Sequence, residues 1–227
     1  TTGAWRAPYT NFLAFAEQSF FSELADELGV DHPTLLIKLL QNVKGTKDER
    51  IQYSPERMEE TIKLAVKKSN WGNTTEGTYQ GFSAYYSHNT HVAEVADIVM
   101  KNGMPLVKKV TVAVDCGIVV NPLGAKNQVE GGVIDGIGHA MYGNFSFKEG
   151  TPQAVNFDNY RLIRMQETPE VSTHFVESGL SPTGLGEPGL PPAGGAVANA
   201  IHTATGERLL KQPFINELEM SKSKILG

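Results

Sequence analysis

The apolar positions of this chain change period once, and the change divides it. From Asn11 to Leu28, the residues Leu13, Ala16, Phe20, Leu24 and Leu28 recur every three to four positions, with Phe12, Phe15, Phe21 and Ala25 widening the stripe. That spacing predicts an amphipathic helix whose aromatic stripe is core. Glu17, Glu23, Asp26 and Glu27 fall on the outward side, and Gly29 supplies a stop. Asp31 caps a second predicted helix, with Pro33 in its first turn, running through Leu40. Lys44 to Arg50 reads as a polar surface loop. Ser54-Pro55 then opens a third helix to about Lys68, with Met58, Ile62 and Val66 inward.

Beyond a Gly/Asn/Thr linker from Trp71 to Gly77, the period becomes 2. Strands are expected at Tyr79–His88, Thr90–Met100 and Pro105–Val114, with Asn102-Gly103 as a hairpin turn. Val92, Val95 and Ile98 alternate imperfectly, so bulges are expected there. Asn121-Pro122 starts a helix through Tyr142 that contains Gly124, Gly131, Gly132, Gly136 and Gly138. Each glycine costs about 0.5–1 kcal/mol relative to Ala in a helix. Such a cost implies close packing of helix on sheet, or room for a bulky ligand. A short strand at Phe145–Lys148, a strand at Val171–Glu177, an Ala-rich helix from Ala193 and a polar tail from Ile215 complete the pattern. The fold class is α+β: N-terminal helices over 1–70, then a mixed sheet over 78–214 with Gly/Ala-rich helices packed on it, and a tail over 215–227.

Composition narrows the classes. The 227 residues carry a net charge of −5, which argues against a general nucleic-acid partner. No uninterrupted apolar run approaches the roughly 20 residues of a membrane helix. The single cysteine, Cys116, excludes an internal disulfide framework and reads as a small buried hydrophobe. The opening Thr1-Thr2-Gly3-Ala4-Trp5-Arg6 reads as the middle of a motif, so the chain is expected to be a fragment of a longer polypeptide.

The chemistry concentrates between Ser181 and Ile201. Gly184, Gly186 and Gly189 allow backbone angles closed to other residues, while Pro188, Pro191 and Pro192 fix φ and remove amide donors. This rigid turn delivers one carboxylate, Glu187, just ahead of a helix. It is either a solvated loop acid or a positioned general base. His88 and His91, three apart on one strand, point to opposite faces and converge only if a turn lies between them, so a metal site there is not expected.

The stretch Gly184-Leu-Gly-Glu-Pro-Gly-Leu-Pro-Pro192 resembles the catalytic-glutamate loop of the molybdenum hydroxylases, the xanthine dehydrogenase and aldehyde oxidase family, in its isoquinoline 1-oxidoreductase β-subunit branch. Trp5-Arg6-Ala7-Pro8 and Val114-Asp-Cys-Gly-Ile-Val-Val-Asn-Pro122, followed by Asn127-Gln-Val-Glu-Gly-Gly132, resemble two further family segments. The resemblance runs to about Phe214 and implies roles. Glu187 would be the base. Gln128, Gly186 and the wall Trp5, Arg6 and Ala7 would border the cofactor. Glu130 would be structural, and Asn156 and Tyr160 are weaker candidates near the pocket. The implied cofactor is molybdopterin cytosine dinucleotide, its molybdenum held through the pterin dithiolene and not by protein ligands. Iron–sulfur clusters on a small partner subunit would receive the electrons. The implied reaction oxidises an aldehyde or N-heteroaromatic ring with oxygen from water, and relatives suggest a periplasmic or membrane-associated complex. The family's Gly-Gly-x-Phe-Gly segment and Gly-Gln-Gly pterin loop have no good counterpart, Tyr79-Gln80-Gly81 being a poor substitute. The missing N-terminal half of the polypeptide is therefore an expected partner, and the fragment alone is expected to be folded, inactive and without molybdenum. Two competing readings are a phosphate- or nucleotide-binding helix N-terminus and a non-catalytic scaffold. Glu187 argues against both.

Overall fold

A computed structural model describes residues 3–45 and 53–225. The chain runs α1 (Thr10–Glu27), α2 (His32–Val43), α3 (Pro55–Ser69), β1 (Thr78–Ser87), β2 (Thr90–Lys101), β3 (Met104–Asp115) and α4 (Pro122–Tyr142). A small hairpin of β4 (Phe147–Lys148) and β5 (Thr151–Pro152) follows, then β6 (Glu170–Phe175), α5 (Pro191–Thr205) and α6 (Phe214–Ile225). The expected α+β architecture is present. Asp31 caps α2 and Ser54 caps α3, each accepting from a backbone N–H three residues on. The loop expected from Lys44 lies, from residue 46 on, outside the described residues.

The main sheet has the order β1-β2-β3-β6. Its first three strands are antiparallel, and β6 joins β3 in parallel, so the sheet is mixed. Strand β2 is central and covered on both faces, which is why its alternation is poor. Ala93 and Val95 share one apolar cluster with Leu36, Met58 and Ile62 of α2 and α3. Val92, Ala96 and Ile98 share the other with Val133 of α4 and Val197 of α5. The register slips at Asp97/Ile98, in the region where a bulge is expected. Both hairpin turns have two residues at positive φ, His88-Asn89 (52° and 61°) and Asn102-Gly103 (53° and 69°). That backbone suits the twist of the flanking strands. It also ends β1 at Ser87, one residue earlier than predicted, because His88 belongs to the turn.

Helix α5 is the central helix, buried continuously from Pro191 to Ile201. It crosses β1 at Gly81, where a Cβ would lie 2.1 Å from the Ala196 carbonyl oxygen. Such an approach is open to glycine alone.

Helix α1 corrects the sequence reading. Its buried residues are Ala14, Gln18, Ser22 and Ala25, whereas Phe12, Leu13, Ala16, Phe20 and Leu28 are exposed. The reason lies in what α1 covers. It packs on α5 and along the free edge of β1, where small side chains permit close approach and unpaired backbone groups need polar partners. Gln18 Oε1 accepts from the Ala84 N–H at 3.0 Å, and Asn199 Nδ2 donates to the Phe82 carbonyl at 2.9 Å. A second correction concerns the tail expected from Ile215. Phe214 through Ile225 form α6, and Phe214 and Leu218 are buried in the main core.

Candidate active site

The Glu187 loop is fastened on three sides. Gly184 N–H donates to the His88 carbonyl at 3.2 Å, and Thr183 N–H to the Cys116 carbonyl at 2.9 Å. The Thr90 hydroxyl donates to the Gly184 carbonyl. Leu190 N–H donates back to the Glu187 carbonyl at 2.9 Å, closing a turn directly before α5. Beneath it lies α4. A Cβ on Gly136 would fall 2.6 Å from the Leu190 carbonyl oxygen, and one on Gly132 3.1 Å from the Gly189 carbonyl carbon. These two helix glycines therefore serve close packing against the Glu187 loop, not against the sheet as the sequence suggested.

Residues 5–7 run past the same loop. Ala7 is buried at a φ of 58°, and its N–H donates to Glu187 Oε1 at 2.9 Å. Arg6 Nε donates to the Gly186 carbonyl at 2.9 Å, and Arg6 Nη2 to the Gln128 carbonyl at 3.0 Å. The same Nη2 lies 3.5 Å from Gln128 Oε1. One guanidinium thus ties the Glu187 loop to α4. Gln128, Gly131, Asp135 and His139 recur at helical spacing along one side of α4. Arg6 Nη1 sits 3.9 Å from Asp135, and the Trp5 ring stacks on His139 with centroids 4.0 Å apart. Burial pushes the Asp135 carboxyl up, opposed by Arg6 and His139, and pushes the His139 imidazole down, opposed by Asp135. Glu187, Gly186, Arg6, Ala7 and Gln128 therefore form one connected group, and Trp5 joins it through α4.

The second carboxylate oxygen of Glu187 has a partner that sequence reasoning missed. His88 Nε2 is 2.7 Å from Glu187 Oε2. The available signal was His-Asn between two strands, a pair suited to a two-residue turn at positive φ. Placing His88 inside the strand concealed it. His91, by contrast, is buried, and its Nε2 accepts from the Ser54 N–H at 3.1 Å. The two histidines do not converge, and the described residues contain no cluster of three or more His, Cys, Asp or Glu suited to a metal.

The remaining candidates separate from this group. Asn156 caps its own loop by accepting from the Phe157 N–H, and Tyr160 packs against Phe145. No hydrogen bond among the described residues joins either to Glu187, Arg6 or Gln128. Glu130 pairs with Lys126 along α4 at 3.5 Å, and Cys116 is buried. Asp115, also buried, accepts two bonds from Arg57 at 2.8 Å each and one from Ser178 at 2.9 Å. Burial raises its carboxyl, but the bonds from Arg57, the Gly117 amide and Ser178 outweigh it and hold the group below its usual range.

The group sets one carboxylate, Glu187, beside the His88 imidazole and several N–H donors. Gln128 is exposed beside a cavity of about 260 Å³ that also reaches Thr183 and Leu185. Its Nε2 donates to none of the described residues. A neutral amide donor with a guanidinium behind it fits the anionic edge of a dithiolene cofactor, and no protein ligand to a metal is required. A phosphate site at the α5 N-terminus fits less well. Pro191 and Pro192 have no N–H, and the Ala193 N–H is bonded to the Leu190 carbonyl.

Known proteins resemble this chain along most of its length. A family model described as a molybdopterin cofactor-binding domain matches residues 26–169. The membrane-bound aldehyde dehydrogenase (pyrroloquinoline-quinone) of Gluconacetobacter polyoxogenes is 33% identical over 93% of this chain and 29% of its own. Isoquinoline 1-oxidoreductase subunit beta of Brevundimonas diminuta is 28% identical over 92% of this chain and 26% of its own. The chain thus spans less than a third of the length of these relatives. The aldehyde oxidoreductase of Desulfovibrio gigas shares the fold, with a TM-score of 0.69 at 14% identity over 95% of this chain and 42% of its own. With more than half its length matched by the molybdopterin-binding model, and a relative above 30% identity along nearly all of it, the chain belongs to the molybdopterin-binding proteins of the molybdenum hydroxylase family.

Proposed function

We propose that this chain forms one wall of the cofactor site in a molybdenum hydroxylase, with Glu187 as the general base. Oxidation of an aldehyde or an N-heteroaromatic ring carbon, with oxygen from water, is the reaction it serves. The observation that carries this reading is the single hydrogen-bonded group joining Glu187, Ala7, Arg6 and Gln128. When bound, a molybdenum cofactor supplies the two-electron redox chemistry and activates water. This chain's residues do the rest. Glu187 holds one carboxylate oxygen against the Ala7 amide and takes up a proton on the other. Arg6 anchors the Gly186 carbonyl and so orients the loop. Gln128 presents an uncharged donor to the cofactor edge, and Trp5 closes the α4 side of the wall. A positioned base of this kind contributes roughly 10²–10⁴-fold in rate.

The cytosine dinucleotide form of molybdopterin, and electron transfer to iron–sulfur clusters on a small partner subunit, complete the proposal. The names of the relatives support the subunit arrangement, and the name of the Gluconacetobacter enzyme supports a membrane-associated complex. The other wall of the site and the pterin loops come from a longer polypeptide. The test is to purify that polypeptide with its partners and supply an aldehyde or N-heteroaromatic substrate in ¹⁸O-labelled water. Stoichiometric molybdenum and ¹⁸O in the product are expected. A quinone in place of molybdenum, or oxygen drawn from O₂, would overturn the reading. The 227-residue chain by itself is expected to fold and to contain no molybdenum.

A further inference from the structure

His88 has no role in the reading above, yet it is the nearest side chain to the base. Its position is built, not incidental. The two-residue turn holds it at positive φ, its carbonyl accepts from Gly184, and a Cβ on Gly184 would lie 2.9 Å from its own Cβ. The β1–β2 turn and the Glu187 loop are therefore fixed to each other. The side chains of His88 and Glu187 are 38% and 34% exposed, so both reach solvent.

The hydrogen bonds behind the ring decide its tautomer. The Thr10 hydroxyl donates to the Ala7 carbonyl at 3.1 Å. Having one proton, Thr10 can only accept from Ser87, whose Oγ is 3.1 Å away. Ser87 has then spent its own proton, and it can only accept from His88 Nδ1 at 2.7 Å. Nδ1 therefore carries a hydrogen. In the neutral ring Nε2 is a bare lone pair, and it faces Glu187 Oε2 at 2.7 Å. A proton carried by either group therefore lies on the line between Oε2 and Nε2.

We propose that Glu187 and His88 act as one proton-accepting pair, in which the proton taken by Glu187 during turnover passes from Oε2 to Nε2 of His88 and then to water. This rests on Glu187 being the base. No electrons move in the step. Oε2 loses the proton, Nε2 gains it, and the exposed ring edge releases it, restoring the carboxylate. Of the charged groups in the site, Arg6 binds the Gly186 carbonyl beside Glu187, and Asp135 lies against Arg6. From α1 and β1 the hydroxyls of Thr10 and Ser87 face it.

Two measurements separate this inference from the reading it rests on. In the chain labelled with ¹⁵N-histidine, NMR is expected to show Nδ1 protonated and Nε2 as the nitrogen that exchanges its proton with pH. Ser87→Ala is expected to turn the neutral ring to the Nε2–H form. A native ring already in the Nε2–H form would overturn the proposal whatever the activity of Glu187. In the loaded full-length enzyme, His88→Asn keeps a residue suited to the turn. It is expected to lower kcat about tenfold or more with KM little changed. Unchanged kcat in His88→Asn beside inactive Glu187→Gln would overturn the pair and leave the base standing. An active Glu187→Gln would overturn both.

Discussion

At the scale of the residue, polar side chains without partners say as much as those with them. Glu94 sits in the middle of β2, fully buried, opposite Ser83, and neither of its carboxylate oxygens has a hydrogen-bond partner among the described residues. Burial raises its carboxyl well above the ordinary value, so the folded protein holds it neutral. A folded-state pKa above the unfolded one stabilises the fold below the unfolded value of about 4.3, and that contribution is lost as pH rises through the folded value. Glu94→Gln keeps the shape and removes the ionisation. It is expected to match the native protein in urea near pH 4 and to exceed it above that. The difference should grow by about 1.4 kcal/mol per pH unit until the folded carboxyl itself ionises. A gap that did not change with pH would contradict the assignment. Glu187 was legible as a singular acid because glycines and prolines isolate it in the sequence. Glu94 was not, because a strand residue reveals its burial only once helices cover both faces of the sheet.

At the scale of the element, periodicity located the helices but not always their inner face. In α3 the apolar stripe is the buried one, with Met58 and Ile62 inside. In α1 the strongest stripe faces out, because α1 meets α5 and a strand edge through Ala14, Gln18, Ser22 and Ala25. Phe20→Ser is accordingly expected to change stability by less than about 0.5 kcal/mol, as measured by urea unfolding of the chain. The glycines of α4 make a sharper contrast. A Cβ on Gly131 would meet the Arg6 guanidinium at an ordinary 3.8 Å, whereas one on Gly136 would strike backbone at 2.6 Å. Gly131→Ala should therefore stabilise by about 0.5–1 kcal/mol through helix propensity. Gly136→Ala should destabilise by about 1–3 kcal/mol and displace the Glu187 loop. Thermal unfolding of the two variants decides it, and equal effects would contradict the packing described. The sequence showed that these glycines were costly. Their contact with the loop depends on a chain crossing that local spacing does not encode.

At the scale of the whole molecule, several groups of apolar side chains remain exposed among the described residues. Phe12, Leu13 and Phe20 lie on α1, Ile118, Val120 and Leu123 lie at the start of α4, and Phe145, Phe147 and Phe157 lie around the small hairpin. A chain that spans less than a third of its relatives is expected to leave such surfaces for the remainder of a longer polypeptide to cover. The order of three motifs along the chain made the family legible, and the folded chain brings residues 6–7, 128 and 186–187 into contact. His88 was not legible, because its approach to Glu187 is made by a hairpin turn meeting a loop about a hundred residues away. The central claim is that this wall carries the base of a molybdenum hydroxylase. Turnover and molybdenum content of full-length Glu187→Gln test it most directly. A loss of about 10²-fold or more in kcat with the molybdenum fully retained is the result this account predicts; undiminished turnover in that variant would contradict it.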